Sequence, residues 1–147
     1  MRCKESRTIR IMGFGISVCC LIVLAARGDA GEPKSTIKAG IIGLDAHARS
    51  WTKIINDPEA KGELADMTVV AAFGGGSQDI PQSMKLLNES LDPVRAMGVE
   101  IVPSIDELLK KVDVVMVLSI DGRKHLAEAK PVFEAGKRVF IDKPLAG

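Results

Sequence analysis

The sequence has 147 residues, of which 46% are hydrophobic and 27% charged, and its formal net charge is +1. This is the composition of one ordinary globular domain, and a near-neutral chain of mixed signs excludes a basic surface built for nucleic acid. Aromatic residues are scarce, with no Tyr and a single Trp, so we expect a core of Val, Ile, Leu and Ala, as in a parallel sheet buried on both faces.

Residues 1–30 have the pattern of a secretory signal peptide. Four basic residues precede an apolar run from Ile11 to Ala26, and small residues at Gly28 and Ala30 predict a cut after Ala30. The run is short for a membrane span of about 20 residues. We therefore expect an exported protein with no stable membrane span after cleavage. An uncleaved anchor, or a lipid attached at Cys19 or Cys20, are the alternatives.

All three cysteines of the chain (Cys3, Cys19, Cys20) fall within this segment. The expected mature protein, residues 31–147, contains none, so cysteine-based metal or thiol chemistry is excluded and no metal site is predicted. This part holds 15 basic and 17 acidic residues, mixed along the chain. No basic stripe in it suggests binding to nucleic acid.

Beyond a short polar linker, apolar runs of strand length alternate with helical patterns. Pro58, Pro93 and Gly136 are predicted to interrupt or end helices, and Ser104 with Glu107 forms a capping box. Five alternations with short connections predict an α/β fold: a Rossmann-type, doubly wound parallel sheet with helices on both faces. The predicted strands are Ile37–Ile42, Met67–Phe73, Val99–Val102, Val112–Leu118 and Arg138–Ile141; the predicted helices are 46–56, 80–91, 104–111 and 123–135.

The turn after the first strand reads G-I-I-G-L-D-A-H-A, and a G-x-G-x-x-G fingerprint falls on Gly43, Asp45 and Ala48. Gly43 keeps the tight turn, and Ala48 is an accepted variant. Asp45 stands where a glycine lets the backbone approach a pyrophosphate. Two unit charges about 4 Å apart repel by about 4 kcal/mol at an effective dielectric of about 20, more than the roughly 0.3–1 kcal/mol that an anion gains at a helix N-terminus. The alternative is that Asp45 caps a helix beginning at Ala46, and a protonated His47 would partly offset its charge.

The second strand ends F-G-G-G-S, without the acidic residue that commonly grips the ribose hydroxyls of a dinucleotide. The nearest acid is Asp79, which either swings back to the ribose or is a solvated loop carboxylate or helix N-cap. The segment 74–77 is either a phosphate nest or a flexible turn.

Three stretches carry a resemblance to a known family: K-A-G-I-I-G-L at 38–44, V-D-V-V-M-V-L-S-I-D-G-R-K-H-L-A-E-A at 112–129, and A-G-K-R-V-F-I-D-K-P-L-A at 135–146. In them the sequence resembles the N-terminal half of the glucose-fructose oxidoreductase, inositol dehydrogenase and MocA (Gfo/Idh/MocA) family. The last stretch departs from the family block A-G-K-x-V-x-x-E-K-P-L-A only at Asp142, which replaces Glu. The resemblance implies a Rossmann domain followed by a second α/β domain, and an NAD(P)-dependent oxidoreductase of sugars or polyols.

The resemblance also implies site residues. Lys143 matches the lysine of the E-K-P block, which lies by the nicotinamide and the substrate hydroxyl, so we expect it to hold the substrate or transfer a proton. It follows the fifth strand, at the sheet edge where open α/β folds bind ligands. Ser119, Asp142 and Pro144 are placed with the cofactor. His125 matches a family histidine, for which site contact and structural packing both stay open.

Two classes of function follow. One is the N-terminal NAD- or NADP-binding domain of an exported oxidoreductase with a small sugar or polyol substrate, with Asp45 as the feature that speaks against cofactor binding. The other is a Rossmann-type module that has lost dinucleotide binding and holds another small polar ligand or a partner. The chain stops just after the D-K-P block, so the family's second domain is absent; we expect a fragment, inactive by itself if it belongs to an enzyme, with a natural single-domain protein as the alternative. We also expect poor solubility from the apolar surface that the second domain would cover.

Overall fold

A computed structural model describes residues 36–146; the predicted signal segment lies outside the described residues. A short 3-10 turn at Gly62–Asp66 precedes the second strand. The strands are β1 (Ile37–Ile42), β2 (Met67–Phe73), β3 (Glu100–Val102), β4 (Val114–Val117) and β5 (Arg138–Ile141), and the helices are α1 (Ala48–Ile55), α2 (Pro81–Ala96), α3 (Ile105–Leu109) and α4 (Gly122–Glu134).

The five strands form one parallel sheet in the order β3-β2-β1-β4-β5. The chain builds outward from β1 in one direction through β2 and β3, then returns to the other side of β1 with β4 and β5. The strand order therefore reverses between β1 and β4, and open α/β sheets bind their ligands at the carboxyl ends of the strands beside such a reversal. The predicted doubly wound parallel sheet is confirmed.

The core lies on both faces of the sheet, because neighbouring residues of a strand point to opposite faces. Ile41 packs in one apolar cluster with residues of α1 and α2, whereas Ile42 packs in a second cluster with residues of α3 and α4. Both isoleucines are fully buried. Such burial contributes about 1.5–3 kcal/mol for each large apolar side chain, and it holds the carboxyl end of β1 in place.

Three predicted helix boundaries were wrong by two residues or more, among them the end of α3, which lies at Leu109 and not at 111. α2 does not break at Pro93 but continues to Ala96, because the fully buried Val94 packs that last turn on the core and the Pro93 carbonyl still accepts from Met97 N–H. α1 begins at Ala48, two residues later than predicted. The predicted end of α4 is confirmed by Gly136, which has φ +67°.

The capping box is half formed. The Ser104 hydroxyl accepts a hydrogen bond from Glu107 N–H at 3.2 Å, as predicted. The Glu107 carboxylate, however, pairs with Lys110 Nζ at 2.6 Å instead of reaching back to the backbone. An exposed ion pair one turn away thus replaces the second bond of the motif.

The sheet edge at β5 carries exposed apolar side chains. In the part of the chain that the structure describes, β5 pairs only with β4. Beside it lies a groove of about 550 Å³, lined mainly by apolar residues that include Trp51, Ile54, Val139 and Phe140. Ile54 is 55% exposed and Phe140 50%. None of the helices within residues 36–146 is long and apolar enough to cross a membrane.

Candidate functional site

The turn that follows β1 keeps the tight geometry predicted for Gly43. Gly43 has φ +87°, in the left-handed region. A Cβ atom at this position would lie 2.5 Å from Ser119 N and 2.8 Å from Ser119 Cα, so only glycine lets the turn pass against the loop after β4. Ala48, at the third fingerprint position, is fully buried. The first and third positions therefore keep the close packing that the fingerprint requires.

Asp45 does not cap α1, and that prediction was wrong. The N-cap residue is His47, and no side chain among the described residues caps the helix. The Asp45 carboxylate instead accepts hydrogen bonds from Ile120 N–H at 2.9 Å and from Ser83 Oγ at 3.2 Å. Asp45 is 1% exposed, and burial raises its pKa although both hydrogen bonds oppose the rise. Its buried carboxylate thus links three segments of the chain: the turn after β1, helix α2 and the loop after β4.

Glu128 is a second buried acid that sequence reasoning missed. Its carboxylate accepts a hydrogen bond from Ser119 Oγ at 2.8 Å, and burial raises its pKa. Ser119 is itself 1% exposed. The predicted cofactor residue Ser119 therefore binds an acid of the protein. The helical spacing of Glu128 with the buried residues His125 and Val132 could have shown that it faces inward.

The segment 74–79 between β2 and α2, here called the crossing loop, passes over the carboxyl end of β1. The Gly74 carbonyl accepts from Leu44 N–H at 2.9 Å. A Cβ atom built on Gly75 would lie 3.4 Å from Gly43 Cα and 3.6 Å from Glu128 Oε1. The triple glycine therefore packs against the fingerprint turn in this structure.

The far side of the crossing loop is held by the start of α4. Ser77 Oγ donates to Asp121 Oδ2 at 2.6 Å, and Arg123 donates to Asp79 at 2.8 Å. The Lys124 ammonium donates to the Gly76 carbonyl. Asp79 is a solvated loop carboxylate, one of the roles considered from the sequence, and it is not the N-cap of α2, which is Ile80. Because its carboxylate binds Arg123 of α4, Asp79 does not point toward a site for the ribose hydroxyls, the other role considered from the sequence.

Asp121 is the centre of this attachment. It caps α4 by accepting from Arg123 N–H at 3.1 Å, and its carboxylate also binds the Arg123 guanidinium at 2.8 Å. Hydrogen bonds from Arg123 and Ser77 hold the pKa of Asp121 well below its usual range. Asp121 is therefore an anion that binds both its own helix and the crossing loop.

His47 and Asp142 join the fingerprint turn to the end of β5. The ring of His47 binds Asp142 Oδ2 through Nδ1 and stacks on Trp51 at 5.1 Å. Burial pushes the pKa of Asp142 upward, but hydrogen bonds from Lys143 N–H and from His47 outweigh it and leave the pKa lowered. Lys143 and Pro144 follow as exposed residues joined by a cis peptide bond. The structure thus brings His47 and Asp142 together beside Lys143.

His125 is packed in the interior. It is 1% exposed, and its Nε2–H donates to the Ser119 carbonyl at 2.7 Å. Its Nδ1 has no hydrogen-bond partner among the described residues. Of the two roles left open for His125, the structure supports packing beneath the loop after β4.

The turn has three features that fit a phosphate-bearing cofactor. Gly43 allows the tight bend, the N-terminus of α1 has no side-chain cap within the described residues, and Asp45 points its carboxylate at partners inside the protein. Helix N-termini of this kind attract anions. The residues of the turn therefore fit the phosphates of a dinucleotide. The crossing loop, however, lies over the same strand end. No group of three or more potential ligand side chains within residues 36–146 is placed to hold a metal ion.

This arrangement, a parallel sheet with a glycine turn at the strand reversal, defines a nucleotide-binding domain of the Rossmann class. A family model described as GFO_IDH_MocA, "Oxidoreductase family, NAD-binding Rossmann fold", matches residues 37–147. The chain belongs to this oxidoreductase family, and the resemblance read from its three sequence stretches is confirmed.

Solved structures share the fold. UDP-N-acetylglucosamine 3-dehydrogenase GnnA from Acidithiobacillus ferrooxidans is 20% identical with a TM-score of 0.56, over 76% of this chain and 30% of its own. A dehydrogenase (MviM) from Clostridium difficile is 26% identical with a TM-score of 0.53, over 76% and 31%. Myo-inositol dehydrogenase from Lactobacillus casei, solved with NAD(H) and myo-inositol, is 23% identical with a TM-score of 0.52, over 76% and 29%.

The chain therefore spans about 30% of the length of the solved structures that it matches. No curated protein matches it.

Proposed function

We propose that this chain is the NAD- or NADP-binding domain of an exported oxidoreductase that acts on a sugar or polyol. The observation that carries the proposal is the turn at Gly43, packed against Ser119 and leading into a helix whose N-terminus lacks a side-chain cap in the described residues. Family membership supports the cofactor class. The substrate class rests on similar proteins, among them a dehydrogenase solved with myo-inositol.

In this proposal Lys143 is the catalytic residue. It is exposed directly after β5, at the carboxyl edge of the sheet, where its ammonium form would bind a substrate hydroxyl and its neutral amine form would accept the hydroxyl proton. Asp142 holds the Lys143 backbone N–H, and His47 holds Asp142, so both act as positioning residues. A bound nicotinamide would supply the hydride acceptor or donor. The protein's part is to orient the two reactants.

Calorimetric titration of NADH and NADPH into the purified chain tests the cofactor proposal. The sharpest variant is Arg49→Glu, because Arg49 is exposed in the first turn of α1. A carboxylate there favours the helix but repels a phosphate, so we expect roughly tenfold weaker binding without loss of stability.

Lys53→Glu is the matched control, since it makes the same charge change at the exposed far end of the same helix. It should weaken binding less than Arg49→Glu does, because Lys53 lies about 6 Å further along the helix from its N-terminus and salt screens exposed charges. Equal weakening by both variants would mean that any dinucleotide binds elsewhere on the chain.

A second candidate function is a Rossmann-type module that no longer binds dinucleotide. It is favoured by the two buried acids, Asp45 and Glu128, and by the crossing loop that packs over Gly43. Such a module would hold another small polar ligand or a partner. Absence of NADH and NADPH binding at millimolar concentration, in a chain shown to be folded, would select it.

Export is proposed from the sequence of residues 1–30 alone, through its basic, apolar and small-residue segments. Intact mass spectrometry of the protein recovered from the producing cell tests it. A mature chain that begins at Gly31 supports the proposal, and a full-length chain in the cytoplasm refutes it. Ala30→Asp should block cleavage, because the site requires a small residue at that position.

A further inference from the structure

The crossing loop spans the distance between the carboxyl ends of β2 and β4, which lie on the two sides of β1. β1 lies between β2 and β4, and strands in a sheet are about 4.8 Å apart, so the ends of β2 and β4 are separated by roughly 10 Å. In this structure the segment after β2 bridges that distance and binds the helix after β4. It occupies the strand end at which the proposed cofactor would lie.

We propose that the crossing loop is a strap over the dinucleotide crevice, and that Asp121 is the positioning residue that holds it closed. This inference rests on the proposed function and deepens it. Asp121 is 6% exposed and accepts hydrogen bonds from both Ser77 of the loop and Arg123 of α4. Arg123 then reaches Asp79 at the outer end of the loop. One buried carboxylate therefore fixes two points of the strap.

The strap is also connected to the fingerprint turn. Ser77 N–H donates to Ser83 Oγ at 3.0 Å, and that hydroxyl donates in turn to Asp45. Ser77 thus lies between Asp121 on one side and Asp45 on the other. Displacement of the loop therefore breaks the hydrogen bonds of Ser77 to Asp121 and to Ser83. Gly75 and Gly76, with φ of +64° and +93°, give the backbone of the loop the conformational freedom to move.

If the strap and the dinucleotide exclude each other, opening and binding are linked by mass action. A variant that raises the open population by some factor must tighten NADH binding by that same factor, as long as the closed form predominates. This equality separates a strap from a loop that is merely loose, because looseness alone changes hydrogen exchange and leaves affinity unchanged.

The test compares two asparagine variants. Asp79→Asn removes the outer ion pair, and Asp79 is 63% exposed, so the fold tolerates it. Asp92→Asn is the matched control, because it removes another exposed ion pair, with Arg95 on α2, away from the loop. Hydrogen exchange of residues 74–79, measured by mass spectrometry without cofactor, should accelerate about threefold in Asp79→Asn and not in the control.

Asp121→Asn is the stronger variant, with about tenfold faster exchange expected because the charged acceptor of Ser77 and Arg123 is lost. NADH is then titrated into each protein. Tightening by about threefold in Asp79→Asn and about tenfold in Asp121→Asn, with faster exchange of the loop when NADH binds the unaltered chain, supports the strap.

Two results overturn the inference and are distinguishable. NADH that binds the unaltered chain while protecting residues 74–79, or with equal affinity in all variants, removes the strap and leaves the proposed function standing. Failure of NADH and NADPH to bind any variant, including those whose exchange shows an open loop, removes the proposed function and the strap together.

Discussion

The carboxylate of Asp45 and the backbone N–H of Ile120 are joined by a hydrogen bond of 2.9 Å across 75 residues of sequence. The bond ties the turn after β1 to the loop after β4, on the two sides of the strand reversal. Because the acid is 1% exposed, its charge has a cost that its hydrogen bonds only partly offset. That cost makes stability depend on pH.

We expect Asp45→Asn to flatten the pH dependence of the unfolding free energy. Burial raises the folded-state pKa of Asp45 above its unfolded value. Its stabilising contribution is therefore fully present below the unfolded pKa and is lost as pH rises through the folded pKa. The asparagine side chain of the variant keeps an oxygen for Ile120 N–H and has no charge. Urea unfolding from about pH 4 to about pH 8 should show a smaller decline in the variant, and an unchanged decline would contradict the burial argument.

Glu128→Gln should also reduce the decline of the unfolding free energy with rising pH, since burial also raises the pKa of Glu128.

Asp121→Asn should instead reduce the loss of unfolding free energy as pH falls. Its pKa is lowered by Arg123 and Ser77, so its contribution is present above the unfolded pKa and is lost as pH falls through the folded pKa. The predicted pH dependences of the buried acids and of Asp121 have opposite signs, so each serves as a control for the other.

Gly43→Ala should destabilise the protein by about 3 kcal/mol or more. The residue has φ +87°, and a Cβ atom would lie 2.5 Å from Ser119 N, a backbone atom that cannot move without the loop. Gly98→Ala is the matched control, with φ +84° and no heavy atom within 4 Å, and should cost only about 1–2 kcal/mol. Equal losses in urea unfolding would show that the loop after β4 yields to the added methyl group.

The strands were predictable where apolar runs are continuous and short. β1, β2 and β5 have the predicted bounds, because their sequences are bounded by glycine and polar residues that end them locally. The start of α1 was not predictable. Asp45 is a good N-cap by local rules, but partners at Ile120 and Ser83, distant in sequence, capture its carboxylate.

In the candidate site, too, local sequence predicts only those features that do not depend on partners distant in the chain. Gly43 and Ala48 follow from a local motif, whereas the pairing of Ser119 with Glu128 depends on how α4 packs under the loop after β4. The triple glycine after β2 indicates a flexible turn, and no local signal shows that it crosses β1. Its path is determined by Asp121 and Arg123, which are 44 residues away from the Ser77 and Asp79 that they bind.

Lys143→Met should separate binding from chemistry. Lys143 is exposed, so we expect the free energy of unfolding to change by less than about 0.5 kcal/mol and NADH affinity to be retained. If the proposed function holds, turnover with a panel of sugars and polyols, by an oxidoreductase that contains this domain, should fall by about 10²–10⁴-fold. Lys130→Met, an exposed lysine on α4, is the control and should retain full turnover.

Ile54→Gln should reduce self-association of the isolated chain. Ile54 is 55% exposed on the groove beside β5, with Phe140 and Trp51 as further apolar lining. Glutamine keeps the helix propensity of α1 nearly unchanged. Sedimentation velocity should show fewer oligomers than in the parent chain. Leu126→Gln, on α4, removes an exposed leucine that does not line this groove and should have little effect.

The stacking of His47 on Trp51 also has an optical consequence. Trp51 is the only tryptophan of the sequence, so all indole emission arises from one ring. That ring lies parallel to His47 within 2° and contacts Phe140 on β5. Fluorescence of the unlabelled protein is therefore a local signal from the joint between the fingerprint turn and the Asp142–Lys143 end of the sheet. Changes in intensity report events at that joint without an added dye.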